Sequence, residues 1–183
     1  MPKTLLSNQE IIVGVTGSIA AYKAAEIVSF LTQHQAKITV VMTQAATQLI
    51  RPLTFQTLSH NRVYTELFNS QDSFSPEHIA LADKADAVLI APATANIIGK
   101  IAHGIADDLL SSLVMAVRVP VLLAPAMNDK MYRNPIVQKN IVFLKKNNYR
   151  FIEPEKGHLA CQKRGIGRMA QLAKIIKALE SVL

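Results

Sequence analysis

The 183-residue sequence contains no tryptophan, a single cysteine and only 5% aromatic residues. With a single thiol, Cys161, the chain cannot form an internal disulfide. Because disulfides are typical of secreted proteins and rare in the cytoplasm, we expect the protein to be cytoplasmic. That thiol cannot build a metal site either, because the sequence has neither a CxxC nor an HExxH pattern. Scarce aromatic residues leave few platforms on which nucleic-acid bases could stack. We therefore expect no metal site and no nucleic-acid partner.

Long hydrophobic runs are also missing. The uncharged, apolar-rich stretch 87–99 is too short to cross a bilayer, which takes about 20 residues, and Pro92 interrupts it. No basic and then apolar leader precedes the first strand-like segment, so we expect no secretory signal and no membrane association. A chain of this length usually forms one domain, and its 50% hydrophobic content is enough for a substantial core.

The net charge of +7 is concentrated in one segment. Residues 145–177 contain nine Lys and Arg side chains and two Glu side chains, whereas the charges of the remaining residues cancel. A local excess of this kind fits an anionic small molecule, or a solvated face, at least as well as it fits a nucleic acid.

Short β-branched runs alternate with helical patterns along the chain, which predicts an α/β fold with a parallel sheet and helices on both faces. Strands are predicted at 11–16, 37–42, 87–91, 121–124 and 150–152. Helices are predicted at 18–33, 51–59, 78–84, 95–102, 107–117, 134–147 and 171–183, with a loop at 69–76.

Ligands of such folds bind beyond the carboxyl ends of the strands. Gly17 and Ser18 follow the first predicted strand, and Thr43 follows the second. Gly17 allows close approach of a backbone, and Ser18 can cap the next helix or bind a phosphate, although an ordinary turn has the same composition. The dinucleotide pattern GxGxxG and the nucleotide-binding pattern GxxxxGK[ST] are both absent.

Polar side chains also follow the third and fourth predicted strands. Thr94 and Asn96 offer hydrogen bonds just after Pro92, and the alternative is that Thr94 only caps a helix. Asn128 carries a donor and an acceptor and suits a carboxylate or an amide. Its alternative role is to cap a helix, with nearby Met131 filling the core.

Two further features remain open at this point. His78 follows the polar loop, and a lone histidine is more often a surface or satisfied buried residue than a catalyst. Segment 155–168 holds three of the seven glycines together with Lys163, Arg164 and Arg168. We interpret this segment as a flexible flap that closes over an anionic substrate, the alternative being a solvated loop with an incidental thiol.

Taken in order, these motifs resemble the homo-oligomeric flavin-containing cysteine decarboxylases, most closely the branch that acts on phosphopantothenoylcysteine in coenzyme A biosynthesis. The PxMNxxM element and the ACxxxGxGxM flap are the most specific. The resemblance implies a Rossmann-like (flavodoxin-like) fold, a homotrimer and FMN bound at a subunit boundary. The matching segments span nearly the whole chain: 17–23 (GSIAAYK), 78–82 (HIALA), 91–96 (APATAN), 104–110 (GIADDLL), 125–131 (PAMNDKM) and 159–169 (LACQKRGIGRM).

The resemblance also implies roles for individual residues. His78 would be the active-site base, Asn128 would hold the substrate carboxylate, and Cys161 would donate a proton after a thioaldehyde intermediate has lost CO₂. The side chains implied to line the substrate are His158, Leu159 and Ala160. Those implied to hold FMN are Gly17, Ser18, Ile19, Thr43, Thr94, Ala95, Asn96, Ile97, Ala126 and Met131.

The sequence departs from the family pattern at two positions. Gln162 stands where glycine usually follows the flap cysteine, and Tyr132 stands where tryptophan is common. Bacterial members are often fused to the ligase that makes their substrate, and the length of this chain implies a separate ligase.

Two other functions within the family remain alternatives. One is oxidative decarboxylation of a peptide's C-terminal cysteine, which does not need the flap cysteine. The other is a non-catalytic regulatory subunit, which usually carries a long acidic extension. The flavin prenyltransferase type lacks PxMNxxM. The presence of Cys161 favours the complete cycle, which ends in phosphopantetheine.

Overall fold

Six parallel strands form the central sheet of the computed structural model, which describes residues 5–68, 77–158, 160, 162 and 164–183. The strand order is β3-β2-β1-β4-β5-β6, and every neighbouring pair is parallel. This is the order of doubly wound nucleotide-binding folds, and it confirms the predicted fold class. The strands are β1 (Glu10–Val15), β2 (Lys37–Met42), β3 (Val63–Tyr64), β4 (Ala87–Ala93), β5 (Val121–Pro125) and β6 (Arg150–Phe151).

Helices cover both faces of this sheet. Side chains alternate along β4, so that Leu89 and Ala91 belong to one hydrophobic cluster while Val88 and Ile90 belong to the other. The first cluster includes buried residues of α1, α3 and α9, and the second includes those of α5, α6 and α8. The helices are α1 (Ala21–Gln33), α2 (Gln44–Thr47), α3 (Pro52–Ser59), α4 (Glu77–Lys84), α5 (Ala95–Ala102), α6 (Leu109–Ala116), α7 (Asp129–Tyr132), α8 (Pro135–Lys146) and α9 (Leu172–Glu180).

A separate antiparallel hairpin follows the sheet and was not predicted as strands. It consists of β7 (Glu155–His158) and β8 (Arg164–Arg168) and occupies the segment interpreted as a flap. Its sequence lacks alternating apolar residues, so the pattern gave no strand signal. The edge strand β3 was missed for a similar reason, because two residues are too few to show a period.

The first helix begins later than predicted. The prediction of a helix from Ser18 is wrong at its start, because residues 18–20 form a turn that Ala21 N closes by donating to Ser18 O (2.8 Å). The helix begins at Ala21, its N-cap is Ala20, and no side chain caps it. Ser18 is therefore not a helix cap, and its side chain lies at the strand end.

Two remaining expectations concern loops and membrane spans. The predicted loop at 69–76 lies outside the described residues, as do Leu159, Cys161 and Lys163 of the flap. Within the described ranges, no helix is both long enough and apolar enough to cross a membrane.

Candidate functional site

The ends of β1 and β4 are joined by one buried hydroxyl group. Thr16 is 1% exposed. Its Oγ1 donates to Pro92 O (2.6 Å) and accepts from Thr94 N (3.1 Å). β1 and β4 are the neighbouring strands at which the order of the sheet reverses, and this is where doubly wound folds bind ligands. Thr16 thus fixes the spacing of the two loops that frame the site.

A cavity of about 520 Å³, here called the strand-end cavity, opens at the carboxyl ends of β1, β2 and β4. Its volume falls within the range of about 300–1,000 Å³ that is typical of small-molecule sites. Every predicted cofactor-binding residue except Ile19 lines it. The lining residues are Thr16, Gly17, Ser18, Thr43, Gln44, Ala45, Thr94, Ala95, Asn96, Ile97, Lys100, Asp108, Ala126, Met127 and Met131.

Two threonines in this lining also cap helices. Thr43 accepts from Ala46 N (3.3 Å) at the start of α2, and Thr94 accepts from Ile97 N (3.3 Å) at the start of α5. A capping hydroxyl still has a proton to donate, so capping and ligand binding are compatible here. Asn96 is exposed and lines the same cavity, and its amide offers both a donor and an acceptor.

Small residues keep one wall of the strand-end cavity thin. A Cβ atom at Gly17 would lie only 2.5 Å from the Cβ of Ala45, so the turn after β1 packs directly on α2. This contact requires glycine at position 17. Ala95 and Ala126 add further small residues to the lining, which also includes Met131, 49% exposed.

A charged cluster that the sequence analysis did not single out lies at the same cavity. Lys100 Nζ is 2.6 Å from a carboxylate oxygen of Asp107 and 2.6 Å from one of Asp108. Burial alone would lower the pKa of Lys100, but the two carboxylates outweigh it and the pKa is raised. Asp108 also caps α6 through Ser111 N (2.8 Å). Burial opposes ionisation of Asp108, yet Lys100 and Ser111 hold its pKa below the usual range.

A second cavity of about 580 Å³, here called the hairpin cavity, adjoins the first. Ser18, Ala126 and Met127 line both cavities, so the two cavities are neighbours. The predicted substrate residues Asn128, His158 and Ala160 line it, and Ile19 faces this cavity instead of the strand-end cavity. Its lining residues are Ser18, Ile19, Ala20, Tyr22, Lys23, Ala126, Met127, Asn128, His158, Ala160, Gly167, Arg168 and Met169.

Asn128 both caps a helix and lines the hairpin cavity. Its Oδ1 accepts from Lys130 N (2.9 Å) and caps the short helix α7. The helix-capping role considered as an alternative is therefore present, and the same residue lines the hairpin cavity. Capping fixes the orientation of the amide group against the cavity wall.

The hairpin is anchored on the segment that carries Asn128. Asp129 Oδ1 accepts from Ile166 N (2.9 Å), and Met127 N donates to Gly167 O (3.0 Å). Gly167 has a φ of 137°, and a Cβ there would lie 2.1 Å from Met127 O. A Cβ at Gly165 would lie 2.7 Å from Asp129 Cβ. The two glycines of the GIG sequence therefore allow β8 to lie directly on residues 127–129.

Gln162 occupies a backbone conformation that favours glycine. Its φ is 62°, in the left-handed region. The structure thus accounts for the glycine that the family usually has at this position, and Gln162 adopts the same conformation despite its side chain.

His78 lies apart from both cavities within this chain. It is half-buried near the start of α4, a helix that packs against α6, and it lines neither the strand-end nor the hairpin cavity. Its Nδ1 atom is buried and has no hydrogen-bond partner among the described residues. In the same part of the chain, no group of three or more His, Cys, Asp or Glu side chains is arranged to hold a metal ion.

Two curated proteins are similar to this chain along most of its length. The coenzyme A biosynthesis bifunctional protein CoaBC of Bacillus subtilis is 46% identical over 176 residues, which are 96% of this chain and 43% of that protein. The chain thus spans less than half the length of this relative. The probable phosphopantothenoylcysteine decarboxylase of Streptococcus mutans is 47% identical over 178 residues, covering 96% of this chain and 99% of that protein.

A solved structure has the same fold. It is a cysteine-to-serine mutant of a PPC decarboxylase complexed with pantothenoylaminoethenethiol, with a TM-score of 0.86 and 28% identity over 95% of this chain and 97% of that chain. The family model described as Flavoprotein matches residues 1–183. The match along the whole sequence and the shared fold confirm the resemblance seen in the motifs, and the chain belongs to the flavoprotein family.

Proposed function

We propose that this protein is an FMN-dependent decarboxylase that converts 4'-phospho-N-pantothenoylcysteine to 4'-phosphopantetheine in coenzyme A biosynthesis. The observation that carries the proposal is the junction of two cavities, one suited to a flat cofactor and the other lined by Asn128 and the hairpin. The names of the relatives from Bacillus subtilis and Streptococcus mutans support the same activity.

The chemistry of the strand-end cavity fits FMN. A flavin ring must lie close against the cavity wall, and the small residues Gly17, Ala95 and Ala126 in the lining allow such an approach. The ribityl and phosphate groups need hydrogen-bond donors, and the hydroxyls of Thr43 and Thr94 provide them. Bound FMN would supply hydride acceptance and hydride return at the thiol-bearing carbon of the substrate.

Asn128 holds the carboxylate end of the substrate in this proposal. Because Lys130 N fixes its Oδ1, the amide has one orientation, and its Nδ2 donates to the carboxylate. His158 and Ala160 line the same cavity and enclose the substrate from the hairpin side. A buried, hydrogen-bonded carboxylate loses CO₂ only when the electrons left behind have an acceptor. The C=S bond of an oxidised substrate thiol is such an acceptor.

Cys161 completes the cycle by donating a proton to the carbon that has lost CO₂. A thiol with an ordinary pKa of about 8.5 is far more acidic than a serine hydroxyl, so it suits this step. The solved relative with serine in place of a cysteine, complexed with an aminoethenethiol, supports this role. In our proposal, a Cys161→Ser variant releases CO₂ and accumulates the enethiol.

The assembly we propose is a homotrimer. His78 lies away from the cavities of its own chain, so its role as base requires that it reach the site of another copy. The apolar side chains of Ile79, 40% exposed, and Met131, 49% exposed, support burial against a second subunit. Sedimentation analysis would measure the assembly, and a monomer that is fully active would contradict it.

Shared sites can be tested by complementation. His78→Asn and Asn128→Asp, each inactive alone, should restore activity when co-expressed, because some sites receive both intact residues from different copies. Random mixing in a cyclic oligomer restores about a quarter of the sites. Activity that remains absent in the mixed oligomers would place both residues in one chain's site.

Mass spectrometry of products tests the function directly. Incubation with phosphopantothenoylcysteine should yield a product that has lost CO₂ alone. Cys161→Ser should yield a product two hydrogens lighter. Turnover only of a peptide with a C-terminal cysteine would contradict the proposal, as would saturated product from Cys161→Ser at the wild-type rate. The substrate itself must come from a ligase activity, and the cytoplasm remains the predicted location.

A further inference from the structure

Two cations lie between the hairpin cavity and a third, neighbouring space. This space, here called the outer groove, has a volume of about 540 Å³ and lies between α1 and the start of α9. Lys23 and Arg168, together with Tyr22 and Met169, line both the hairpin cavity and the outer groove. A ligand that extends from Asn128 towards the outer groove therefore comes beside these two cations.

The chain brings the two cations together from distant parts of the sequence. Lys23 lies in the first turn of α1, directly after the turn that lines the strand-end cavity. Arg168 ends β8, and its side chain packs across Gly157, with Nη1 3.6 Å from the position that a Cβ of Gly157 would take. Arg168 is one of the basic residues in the segment of concentrated positive charge.

No carboxylate neutralises this pair among the described residues. Neither Lys23 nor Arg168 has a carboxylate oxygen within ion-pair distance in that part of the chain. Glu26 and Glu155 are the acidic groups that act on Lys23 from further away. Glu26 also lines the outer groove, and Glu155 Oε1 accepts from Gln171 N (3.3 Å), so part of the acceptor capacity of the Glu155 carboxylate is already used.

The surroundings of Lys23 place a second positive charge close to its ammonium group. Burial lowers its pKa first, and the positive charge of Arg168 lowers it further, while Glu155 and Glu26 offset part of the effect. Lys23 is partly buried and Arg168 is exposed, and a dianion bound by both would offset the repulsion between their like charges. Arginine and lysine are also the side chains best suited to phosphate.

We propose that Lys23 and Arg168 bind the terminal phosphate of the substrate's pantothenoyl arm. The inference rests on the proposed function, because that substrate carries a carboxylate at its cysteine end and a phosphate at its other end. Asn128 then holds one end in the hairpin cavity, and the cation pair holds the other at the entrance to the outer groove. The pair acts as a specificity determinant for phosphorylated over unphosphorylated substrate.

The test compares two substrates on FMN-loaded protein: phosphopantothenoylcysteine and its counterpart without the phosphate. Lys23→Gln and Arg168→Gln should each raise KM for the phosphorylated substrate about tenfold or more, the expected effect of losing one hydrogen bond between charged groups. The ratio of kcat/KM for the phosphorylated substrate to kcat/KM for the unphosphorylated substrate should fall by a similar factor. Lys23→Arg should retain most of the phosphate preference.

Lys156→Gln is the matched control. Lys156 is an exposed cation on the same hairpin and lines neither the hairpin cavity nor the outer groove, so KM should stay at the wild-type value. Isothermal titration with 4'-phosphopantetheine and with pantetheine provides a second readout. The Lys23 and Arg168 variants should weaken binding only of the phosphorylated compound.

Three results would overturn the inference. Equal effects on both substrates would assign Lys23 and Arg168 to the shared part of the ligand or to folding. If Lys156→Gln raised KM for the phosphorylated substrate as much as Lys23→Gln and Arg168→Gln do, the effect would come from the general positive charge of the surface and not from a specific pair. Wild-type protein that turns over neither substrate would overturn the proposed function together with this inference, and that result is distinguishable because it is seen without any variant.

Discussion

The carboxylate of Asp129 accepts a hydrogen bond from the backbone N–H of Ile166 (2.9 Å), 37 residues further along the chain. Through this contact, the turn that presents Asn128 also holds the returning strand of the hairpin. Arg133 Nε donates to the same oxygen (2.9 Å). The hydrogen bonds from Arg133 and Ile166 hold the pKa of Asp129 below its usual range, so the acceptor is ionised at neutral pH. The two walls of the hairpin cavity are therefore mechanically coupled.

Replacing Asp129 with alanine should loosen the hairpin without removing FMN. The variant loses the acceptor for Ile166 N, so amide hydrogen exchange in 164–168 should become severalfold faster. KM for substrate should rise, while flavin occupancy stays unchanged because Asp129 does not line the strand-end cavity. Asp129→Asn keeps an acceptor oxygen and should show a smaller effect. Unchanged exchange in the alanine variant would contradict the coupling.

Gly167→Ala should be far more disruptive than an alanine at another glycine with positive φ. At Gly167 the added Cβ would lie 2.1 Å from Met127 O, so β8 has to move off residues 127–129. We expect a loss of more than about 2 kcal/mol in the free energy of unfolding.

Gly104→Ala is the control for that experiment, because Gly104 has a φ of 66° and nothing lies within 4 Å of the added Cβ. It should cost only about 1 kcal/mol, the price of the left-handed backbone. Urea unfolding measures both variants. Equal losses would mean that backbone conformation alone, and not contact with Met127, makes Gly167 necessary.

Thr16→Val should separate the two loops that frame the strand-end cavity. Valine has nearly the same shape but leaves Pro92 O and Thr94 N without their buried partner. Two unsatisfied groups at a site 1% exposed should cost about 2–4 kcal/mol of unfolding free energy and weaken FMN binding. Thr16→Ser retains the hydroxyl and serves as the control. Fluorescence titration with FMN measures the affinity, and wild-type affinity in the valine variant would remove Thr16 from the framework of the site.

Asn128→Asp should abolish decarboxylation and leave the fold intact. Aspartate is as good an N-cap as asparagine, so the hydrogen bond from Lys130 N is preserved. A carboxylate at this position would repel the substrate carboxylate. Near-normal turnover, with circular dichroism and flavin absorption unchanged, would show that another residue holds the substrate.

The Lys100–Asp108 pair should make the free energy of unfolding depend on pH in the acidic range. The pKa of Asp108 is lower in the folded state, so its contribution is complete above the ordinary carboxyl pKa of about 4 and is lost as the pH falls through the folded value. The raised pKa of Lys100 means that its contribution is lost only as the pH rises through that higher value. Asp108→Asn should flatten the fall in unfolding free energy below about pH 4. Urea unfolding across pH would show an unchanged slope if the pair contributed nothing.

The sequence by itself determined the main architecture. The apolar runs at 37–42 and 87–91 match β2 and most of β4, because strands buried on both faces must be continuously hydrophobic. The alternation of strands and helices determined the parallel sheet, and hence the edge at which polar residues gather. Gly17, Thr43, Thr94 and Asn96 could be grouped from sequence because each follows a strand that ends at the same edge.

Local patterns were less informative about helix starts and short strands. Serine is a common N-cap residue, which predicts a helix from Ser18. The turn after β1 is hydrogen-bonded, however, and the helix begins only at Ala21. The hairpin β7–β8 has no periodic signal, because it is held by contacts with residues 127–129 and not by an apolar face of its own.

Only the tertiary structure decided how distant residues combine. Lys23 and Arg168 are 145 positions apart, and nothing in the spacing of either motif indicates that they line one groove. The same holds for Asp129 and Ile166, whose hydrogen bond involves the backbone N–H that every residue type except proline carries. His78 has the residue type of a base, yet the fold places it away from the cavities of its own chain. Sequence periodicity indicates which side of each strand or helix is buried. Contacts between loops depend instead on where the packed sheet places the ends of the strands and helices that the loops connect.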